Sequence, residues 1–370
     1  TIAAGASAHS DHGRDILEVF AELAKGETSG YELRDETKLR SLAEERGIDP
    51  TGRRPNEVAS DLAEAMMEEF GTAKGHLSFS DRAPDKRTKL WKTLGIDPRG
   101  IDRENVEMLH RTHMGVDNDY VNTLLHGLRT SLSDGWGGSM VATELSDVMF
   151  GTPQPVVSTV NLGALRPECV NIALHGHNPL LSDVIMQAAE DPELVSLAME
   201  KGAEGINLVG LCCTGNELQM RKGIPMAGNH LMQELVILTG ALDAMVVDYQ
   251  CIMPAVTDVA KCFHTAVIST ADKAKFTGAT HISFDPHRGL EIGVGGDAGQ
   301  LLQDQGAEIG AHRSSTGWSS LSGRARARST ARRRPGEVSR QSARPSAASA
   351  PPTPTRAPAS ACAPDLCMPP

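Results

Sequence analysis

Residues 205–254 contain two short apolar runs that constrain the fold more than any other part of the chain. Ile206–Leu211 and Ala244–Asp248 are bounded by turn residues, and each has the continuous apolar character of a strand that is covered on both faces. Leucines at helical spacing lie between them: Leu231, Leu235, Leu238 and Leu242. Strand, helix and strand in this order are typical of a parallel βαβ unit. The pattern predicts an α/β fold whose ligands bind outside the carboxyl ends of its strands.

Potential metal ligands follow these strands. Cys212 and Cys213 come directly after the first strand, and Cys251 follows the second. A third apolar run, Val170–Leu174, leads into His175-Gly-His177. Mixed histidine and cysteine ligation suits zinc or an iron–sulfur centre. Buried cysteines can also be small apolar core residues, but three strand ends at one edge favour a shared metal site.

Several longer motifs indicate a family. The strings HSDHGR, LHRTHMGVD, DGWGGSM, LHGHNPLLSD, LVGLCCTGNE and VDYQCIMP closely resemble the catalytic subunit of anaerobic nickel–iron–sulfur carbon monoxide dehydrogenases, and the resemblance runs from Ala3 to about Ile292. It implies that His177, Cys213 and Cys251 hold a nickel–iron–sulfur cluster. Cys213 is preferred over Cys212 because the resemblance places the ligand next to Thr214.

The resemblance also implies a reaction, the oxidation of CO with water to CO2, two protons and two electrons. The HSDHGR motif would begin a proton relay with His9 and then His12, which share a helix face three residues apart. Asp15 and Glu18 stand where the family often continues with histidine. Further 4Fe–4S clusters, a ferredoxin-like electron acceptor and a homodimer are implied as well, and the cysteines for those clusters are expected before Thr1.

We predict three segments. Residues 1–152 have mostly helical patterns, and residues 153–292 alternate strand and helix as in a doubly wound, Rossmann-like parallel sheet. The predicted strands are Val156–Asn161, Val170–Leu174, Ile206–Leu211, Ala244–Asp248, Thr265–Ser269 and His281–Ser283. Residues 293–370 are rich in Arg, Ala, Pro and Ser without apolar periodicity, and are predicted to be a disordered tail, translated out of frame.

Composition excludes several classes of protein. The net charge is −11 although ten arginines lie after Leu301, so the residues before them are more acidic still, which argues against nucleic acid as a partner of the folded part. No apolar run approaches the ~20 residues of a membrane span. The seven cysteines include an adjacent pair and lack the regular spacing of a disulfide framework, which favours a reducing cytoplasm.

Two alternatives remain beside carbon monoxide oxidation. A related hybrid-cluster protein would act on hydroxylamine, and a non-catalytic remnant would use His177, Cys213 and Cys251 for zinc. Three ligands are too few to close a nickel–iron–sulfur cluster. We therefore expect the chain by itself to be an incomplete, inactive fragment of such an enzyme.

Overall fold

The computed structural model describes residues 2–27, 31–71 and 77–288. Its first part is helical and ends near residue 150. The α-helices there are α1 (Ile2–Lys25), α2 (Glu36–Glu45), α3 (Pro55–Gly71), α4 (Phe79–Arg82), α5 (Asp85–Leu94), α6 (Ile101–Arg111), α7 (Tyr120–Asp134) and α8 (Val141–Phe150). A π-helix at Gly135–Met140 joins α7 to α8. The predicted helical N-terminal region is confirmed.

Helix α1 is the centre of this part. Its apolar stripe includes Ile16, Leu17 and Phe20, none of which is exposed, and it packs against α3, α6, α7 and α8. This helix belongs to the mostly helical pattern that the sequence predicts for residues 1–152. Because the stripe is buried on several sides, α1 is a rigid support for the histidines near its start.

Two glycines let α1 approach the π-helix. A Cβ added to Gly13 would lie only 1.8 Å from the carbonyl oxygen of Gly137, and one added to Gly138 would lie 2.5 Å from the ring of His9. These backbones therefore meet at a distance that no larger residue allows. The HSDHGR and DGWGGSM motifs owe part of their sequence to this contact.

A buried carboxylate joins α6 to α7. Glu104 is not exposed, and its oxygens accept hydrogen bonds from Arg129 Nε at 2.7 Å and Arg99 Nε at 2.9 Å. His126 Nε2 lies 3.1 Å from the same carboxylate. Burial acts to raise the pKa of Glu104, but His126 and the arginines lower this pKa by a larger amount. The pKa therefore lies well below the ordinary value. Glu104, Glu107 and His126 are close enough to hold a cation, yet the two arginines already balance the charge.

We expect Glu104→Gln to lower the free energy of unfolding by about 2–3 kcal/mol at pH 7, because it leaves the arginines without a charged partner. A depressed carboxylate pKa gives stability that is present above the unfolded-state pKa and lost as pH falls through the folded-state value. Urea unfolding at pH 7 and pH 4 should therefore show a smaller pH dependence in the variant. Exposed Glu57, paired with Arg54, is the matched control, and Glu57→Gln should change little. Equal effects of the two changes would contradict this account.

The second part is a six-stranded, wholly parallel sheet. Its strands are β1 (Val170–Gly176), β2 (Ile206–Leu211), β3 (Met226–Gly228), β4 (Ala244–Val247), β5 (Ala266–Ser269) and β6 (Thr280–His281). Its α-helices are α9 (Pro179–Ala189), α10 (Pro192–Glu200), α11 (Cys212–Lys222), α12 (Gln233–Leu238) and α13 (Val256–Ala260). The predicted α/β class is confirmed.

The strand order is β3-β2-β1-β4-β5-β6. The order reverses between β1 and β4, and ligands of doubly wound sheets bind in the crevice at such a switch point. Both faces of the sheet are covered: Ile185 of α9 and Leu218 of α11 pack on one face, while Val236 of α12 and Val256 of α13 pack on the other. The residues after β1 and β4 therefore border a preformed crevice.

An ion pair fastens α11 to the helical part. Arg221 Nη2 lies 2.7 Å from Asp147 Oδ1 of α8, and both side chains are less than a tenth exposed. Arg221 also pairs with Glu217 at 2.8 Å, one helical turn away. Because α11 begins at Cys212, these contacts help to fix the position of the cysteine pair relative to α1 and α8.

Some predicted elements are wrong. Val156–Asn161 forms no strand. The segment pairs with no strand of the described sheet, and Val157 is fully exposed. Strand β3 was not predicted because three residues are too few to give a pattern. The leucine stripe faces outward at Leu231, Leu235 and Leu238, whereas Val236 and Ile237 are buried. A 3₁₀ turn at His230–Met232 precedes the short α12, so the spacing of a continuous α-helix does not hold.

The helical and sheet parts pack into one compact unit. The domain boundary near residue 152 stays a prediction, and the tail 293–370 lies outside the described residues. Among the helices of the described residues, none is both long and apolar enough to cross a membrane.

Candidate metal centre

The ends of β1, β2 and β4 lie side by side. His175 pairs in register with Leu211 and with Val247, and Gly176 forms a parallel bridge with Cys212. Neighbouring strands are about 4.8 Å apart. The residues that follow them therefore start from adjacent positions at the carboxyl edge, as the sequence predicts.

Three thiols meet at this edge. Hydrogen bonds from Cys213 and Cys251 to the sulfur of Cys212 lower the pKa of the Cys212 thiol to about 5, with the charge of His175 acting in the same direction. The bond to Cys212 and burial raise the pKa of Cys213, and burial raises that of Cys251 to about 11. Three sulfurs at one edge of the sheet are a donor set that suits a thiophilic metal.

The backbone is strained at the same place. Within the ranges that the structure describes, the non-glycine residues with positive φ are Cys212 at 61°, Gln250 at 60° and Cys251 at 58°. A non-glycine residue in this region costs about 1–2 kcal/mol. Such strain persists where the surroundings hold it, and here it occurs at cysteines that follow two strands of the sheet.

Gln233 holds the loop that carries Cys251. Its side chain is fully buried and donates from Nε2 to the Cys251 carbonyl oxygen at 3.0 Å, while its Oε1 accepts from the Met253 N–H at 2.9 Å. The same Oε1 lies 3.1 Å from His175 Nε2. Gln233 therefore connects the loop after β4 to the end of β1. Nothing in the sequence around Gln233 indicates this role.

Asp248 holds the turn that carries His177. Its carboxylate accepts backbone N–H groups from His177 at 2.8 Å and Asn178 at 2.7 Å, as well as its neighbour Tyr249. Burial raises the pKa of Asp248 to about 7, although these three N–H groups act to lower it. A Cβ at Gly176, whose φ is 140°, would lie 1.9 Å from this carboxylate, so only glycine fits.

Three imidazoles and a phenol lie together beside the turn. The ring centroids of His9 and His12 are 6.4 Å apart and stacked, and His177 lies 5.1 Å from His9 and 6.1 Å from His12. Tyr249 closes the group at 4.7 Å from His12. The structure thus brings both predicted relay residues next to the predicted ligand His177.

These rings differ in their partners. His9 Nδ1 lies 2.9 Å from Asp134 Oδ1, and its Nε2 lies 3.4 Å from Ser139 Oγ, both at the π-helix. His12 is buried, and neither of its ring nitrogens has a partner among the described residues. Burial, followed by the charges of His177 and His9, lowers its pKa well below the ordinary value. His177 Nδ1 is likewise buried, with no hydrogen-bond partner in the part of the chain that the structure describes.

The residues present fit a metal centre of the predicted kind. Buried imidazole nitrogens normally have a hydrogen-bond partner, so the unpartnered Nδ1 of His177 is a nitrogen available to a metal. Cys213 and Cys251 both contact Cys212, whereas the ring neighbours of His177 are His9, His12 and Tyr249. Convergence of His177, Cys213 and Cys251 on one point stays a prediction.

Sequence reasoning missed several residues of the site. Asp134, Asp248 and Tyr249 lie within the quoted motifs, which could have drawn attention to them, but their partners are far apart in the chain. The missed contacts join residues 125 apart for His9 with Asp134 and 71 apart for His177 with Asp248.

Comparison with known proteins identifies the family. Residues 1–302 match the Prismane/CO dehydrogenase family. The chain is 57% identical over 290 residues to carbon monoxide dehydrogenase 1 of Methanosarcina mazei, covering 78% of this chain and 46% of that protein. It is 48% identical over 294 residues to carbon monoxide dehydrogenase 1 of Carboxydothermus hydrogenoformans, with 78% and 46% covered.

Solved structures show the same similarity. A nickel-free carbon monoxide dehydrogenase from Thermococcus sp. AM4, produced without the CooC maturase, superposes with a TM-score of 0.74 at 51% identity over 84% of this chain and 49% of that chain. An acetyl-CoA synthase/carbon monoxide dehydrogenase with NiZn[Fe4S4] and NiNi[Fe4S4] clusters superposes with a TM-score of 0.74 at 41% identity, covering 85% and 46%. The chain spans less than half the length of the curated relatives it matches. It belongs to the Prismane/CO dehydrogenase family.

Proposed function

We propose that this chain supplies the metal-binding core of a carbon monoxide dehydrogenase, which converts CO and water to CO2, two protons and two electrons. The contact of Cys213 and Cys251 with Cys212 at the switch point of the sheet carries the proposal. Identity of 57% to a protein of that name supports it.

The residues that would hold a nickel–iron–sulfur cluster are His177, Cys213 and Cys251. Such a cluster would supply a soft metal that can bind CO and a Lewis acid that lowers the pKa of water. Gln233 would fix the Cys251 loop, and Asp248 would fix the His177 turn. The packed rings of His12 and Tyr249 would limit the access of bulk water, because both are buried.

Protons would leave through the two stacked imidazoles. His9 is oriented by Asp134 and is the relay residue nearer to His177, and His12 is its neighbour on α1. His12 is neutral near pH 7 because burial disfavours its charged form. A neutral imidazole has one N–H donor and one acceptor nitrogen, so it can accept a proton at one nitrogen and release one from the other.

Further parts of the function follow from the family. Additional 4Fe–4S clusters and a ferredoxin-like acceptor would take the two electrons, in a reducing cytoplasm that keeps the cysteines as thiols. A homodimer would have an apolar surface available on α6 and α7. That surface contains the exposed side chains Val106, Leu109, Tyr120, Val121, Leu124 and Leu128.

The two alternatives are less well supported. Hydroxylamine reduction by a hybrid-cluster protein is not favoured, because the relatives described above carry the carbon monoxide dehydrogenase name. A zinc site without catalysis would use the same thiols, but it gives no reason for the stacked His9 and His12 beside His177.

A chimera tests the proposal directly. In it, the matched 78% of this chain replaces the corresponding residues of the M. mazei relative. After anaerobic expression with nickel and iron, the chimera should oxidise CO with a viologen dye as electron acceptor. Absence of CO oxidation in a chimera that holds nickel, iron and sulfide would contradict the proposed function.

A His9 variant tests the relay. In the chimera, His9→Ala should lower the rate of CO oxidation by about 10²–10⁴-fold, the usual contribution of a positioned proton-transfer group. Nickel and iron should stay bound, because the role of His9 is proton transfer. His113→Ala, at an exposed histidine of the helical part, is the control and should keep the full rate. Loss of metal from the His9 variant would make His9 a ligand instead.

A further inference from the structure

The π-helix that joins α7 to α8 holds both nitrogens of one imidazole. Its hydrogen bonds span five residues, as in the bond from the Val141 N–H to the carbonyl oxygen of Trp136. Asp134 and Ser139 are also five residues apart, and their oxygens lie 2.9 Å from Nδ1 and 3.4 Å from Nε2 of His9. In an α-helix, side chains five residues apart point about 140° away from each other. The π-helical register therefore lets both side chains reach the same ring.

This pair of contacts fixes the orientation and the tautomer of His9. A carboxylate only accepts hydrogen bonds, so the hydrogen of the neutral ring lies on Nδ1, where it is donated to Asp134. Nε2 is then the nitrogen that can take up a proton, and the Ser139 hydroxyl lies beside it. A ring that lost either contact could turn over and present the other nitrogen.

The sequence of the π-helix does little to stabilise it. Three of its six residues, GWGGSM, are glycine, which has the lowest helix propensity apart from proline. Gly137 lies against the Ile101 side chain and Gly138 against the His9 ring, so neither position has room for a larger residue. Of the two large side chains, Met140 is 39% exposed, whereas Trp136 is 1% exposed. Trp136 is therefore the side chain that can anchor this segment in the core.

The indole N–H of Trp136 has a fixed partner outside the π-helix. Nε1 donates to Glu69 Oε2 of α3 at 2.7 Å. The Glu69 carboxylate is itself held by Ser78, which donates its backbone N–H at 3.0 Å and its hydroxyl at 2.6 Å. Phe79 stacks on the indole with the ring centroids 5.7 Å apart. These contacts tie the π-helix to α3 and to the start of α4.

Two arginines also lie over the indole. The guanidinium carbons of Arg46 and Arg82 are 5.5 Å and 5.9 Å from its ring centroid, within the range of cation–π attraction. Glu144 of α8 accepts hydrogen bonds from both arginines, at 3.3 Å and 2.6 Å. Arg46 and Glu144 are themselves buried. The ring of Trp136 is thus held by charged groups that are paired with each other.

We propose that Trp136 is a positioning residue for His9. Its indole keeps the segment from Gly135 to Met140 in the π-helical register, and only in that register do Asp134 and Ser139 both contact the imidazole. Glu69 is the residue through which this anchor is fixed to the rest of the helical part. The expected effect on turnover rests on the proposed function, whereas the effect on the His9 ring can be measured in the chain without metals.

The tautomer of His9 is the first test. In the metal-free chain with ¹⁵N-labelled histidine, at alkaline pH, the His9 signals are those that disappear in His9→Asn. They should show a single tautomer with its hydrogen on Nδ1 in the unaltered protein and a mixture of both tautomers in Trp136→Phe, which lacks the indole N–H. Trp91→Phe is the control, because Trp91 also packs on Phe79 but belongs to α5, and it should leave the single tautomer unchanged. A single Nδ1–H tautomer in folded Trp136→Phe would overturn the proposal.

Variants of Glu69 test the same anchor without removing an aromatic ring from the core, and they decide the matter if Trp136→Phe does not fold. Glu69→Ala removes the acceptor of the indole N–H and should also give a mixture of tautomers. Glu69→Gln keeps an acceptor oxygen and should restore the single tautomer. Equal spectra for Glu69→Ala and the unaltered protein would contradict the proposed anchor.

Turnover of the chimera distinguishes positioning from general support of the fold. Trp136→Phe should slow CO oxidation about 10- to 100-fold, the scale of loss for a misplaced reacting group, with nickel and iron retained. In a His9→Ala chimera the same change should slow the residual rate by less than about 2-fold, because its effect passes through His9. Equal slowing in both backgrounds would overturn the proposal. An inactive unaltered chimera would contradict the proposed function instead, and the tautomer of His9 would still decide the role of Trp136.

Discussion

Replacing Cys213 or Cys251 by Ser is expected to remove nickel and to lower CO oxidation in the chimera by more than about 100-fold, since changes of outer-shell residues alone cost metal sites about 10- to 100-fold. The two thiols are in contact with Cys212 and lie on strand ends whose backbone is strained toward this arrangement. A hydroxyl is a poor ligand for a soft metal, so the donor set would be broken.

The control for these changes is Cys262→Ser. Cys262 is an exposed cysteine in the turn after α13, and it should tolerate the change with full metal content and rate. Cys212→Ser identifies the better ligand of the adjacent pair: our assignment predicts that it loses less nickel than Cys213→Ser. Retention of nickel in both Cys213→Ser and Cys251→Ser would remove the basis for placing the centre here.

Replacing Asp248 by Ala is expected to lower the free energy of unfolding by about 3–5 kcal/mol, the largest effect on stability that we predict. The change leaves three buried backbone N–H groups, those of His177, Asn178 and Tyr249, without their acceptor. Each unsatisfied buried group costs about 1–3 kcal/mol. Urea unfolding of the chain under anaerobic, metal-free conditions measures the loss without interference from ligands.

Two variants calibrate this result. Asp248→Asn keeps one acceptor oxygen and should lose less than half as much. Asp191 accepts one backbone N–H, that of Glu193, as the N-cap of α10, and Asp191→Ala should lose about 1 kcal/mol. If Asp248→Ala were no more destabilising than Asp191→Ala, the turn at His177 would be held by something other than this carboxylate.

The sequence was most informative where each strand pattern runs into ligand residues. Val170–Leu174, Ile206–Leu211 and Ala244–Asp248 correspond to β1, β2 and β4, and parallel pairing alone brings their ends to one edge. The cysteines at these ends could therefore be grouped before the structure was known. Helix α1 was also predictable, because its apolar stripe is long and regular.

The sequence was least informative where contacts between distant residues decide the outcome. Val156–Asn161 has strand propensity but no pairing partner, since propensity describes fit to a sheet that must exist elsewhere. Gln233 reaches the Cys251 carbonyl and His175 from two other segments, and no local pattern encodes that.

Metal and acid-labile sulfide analysis of the chimera, purified anaerobically, tests the central claim most directly. We predict nickel together with iron and sulfide, with the nickel lost on Cys251→Ser and retained on Cys262→Ser. Zinc alone, or iron and sulfide with no nickel in the unaltered protein, would contradict a nickel–iron–sulfur centre held by His177, Cys213 and Cys251.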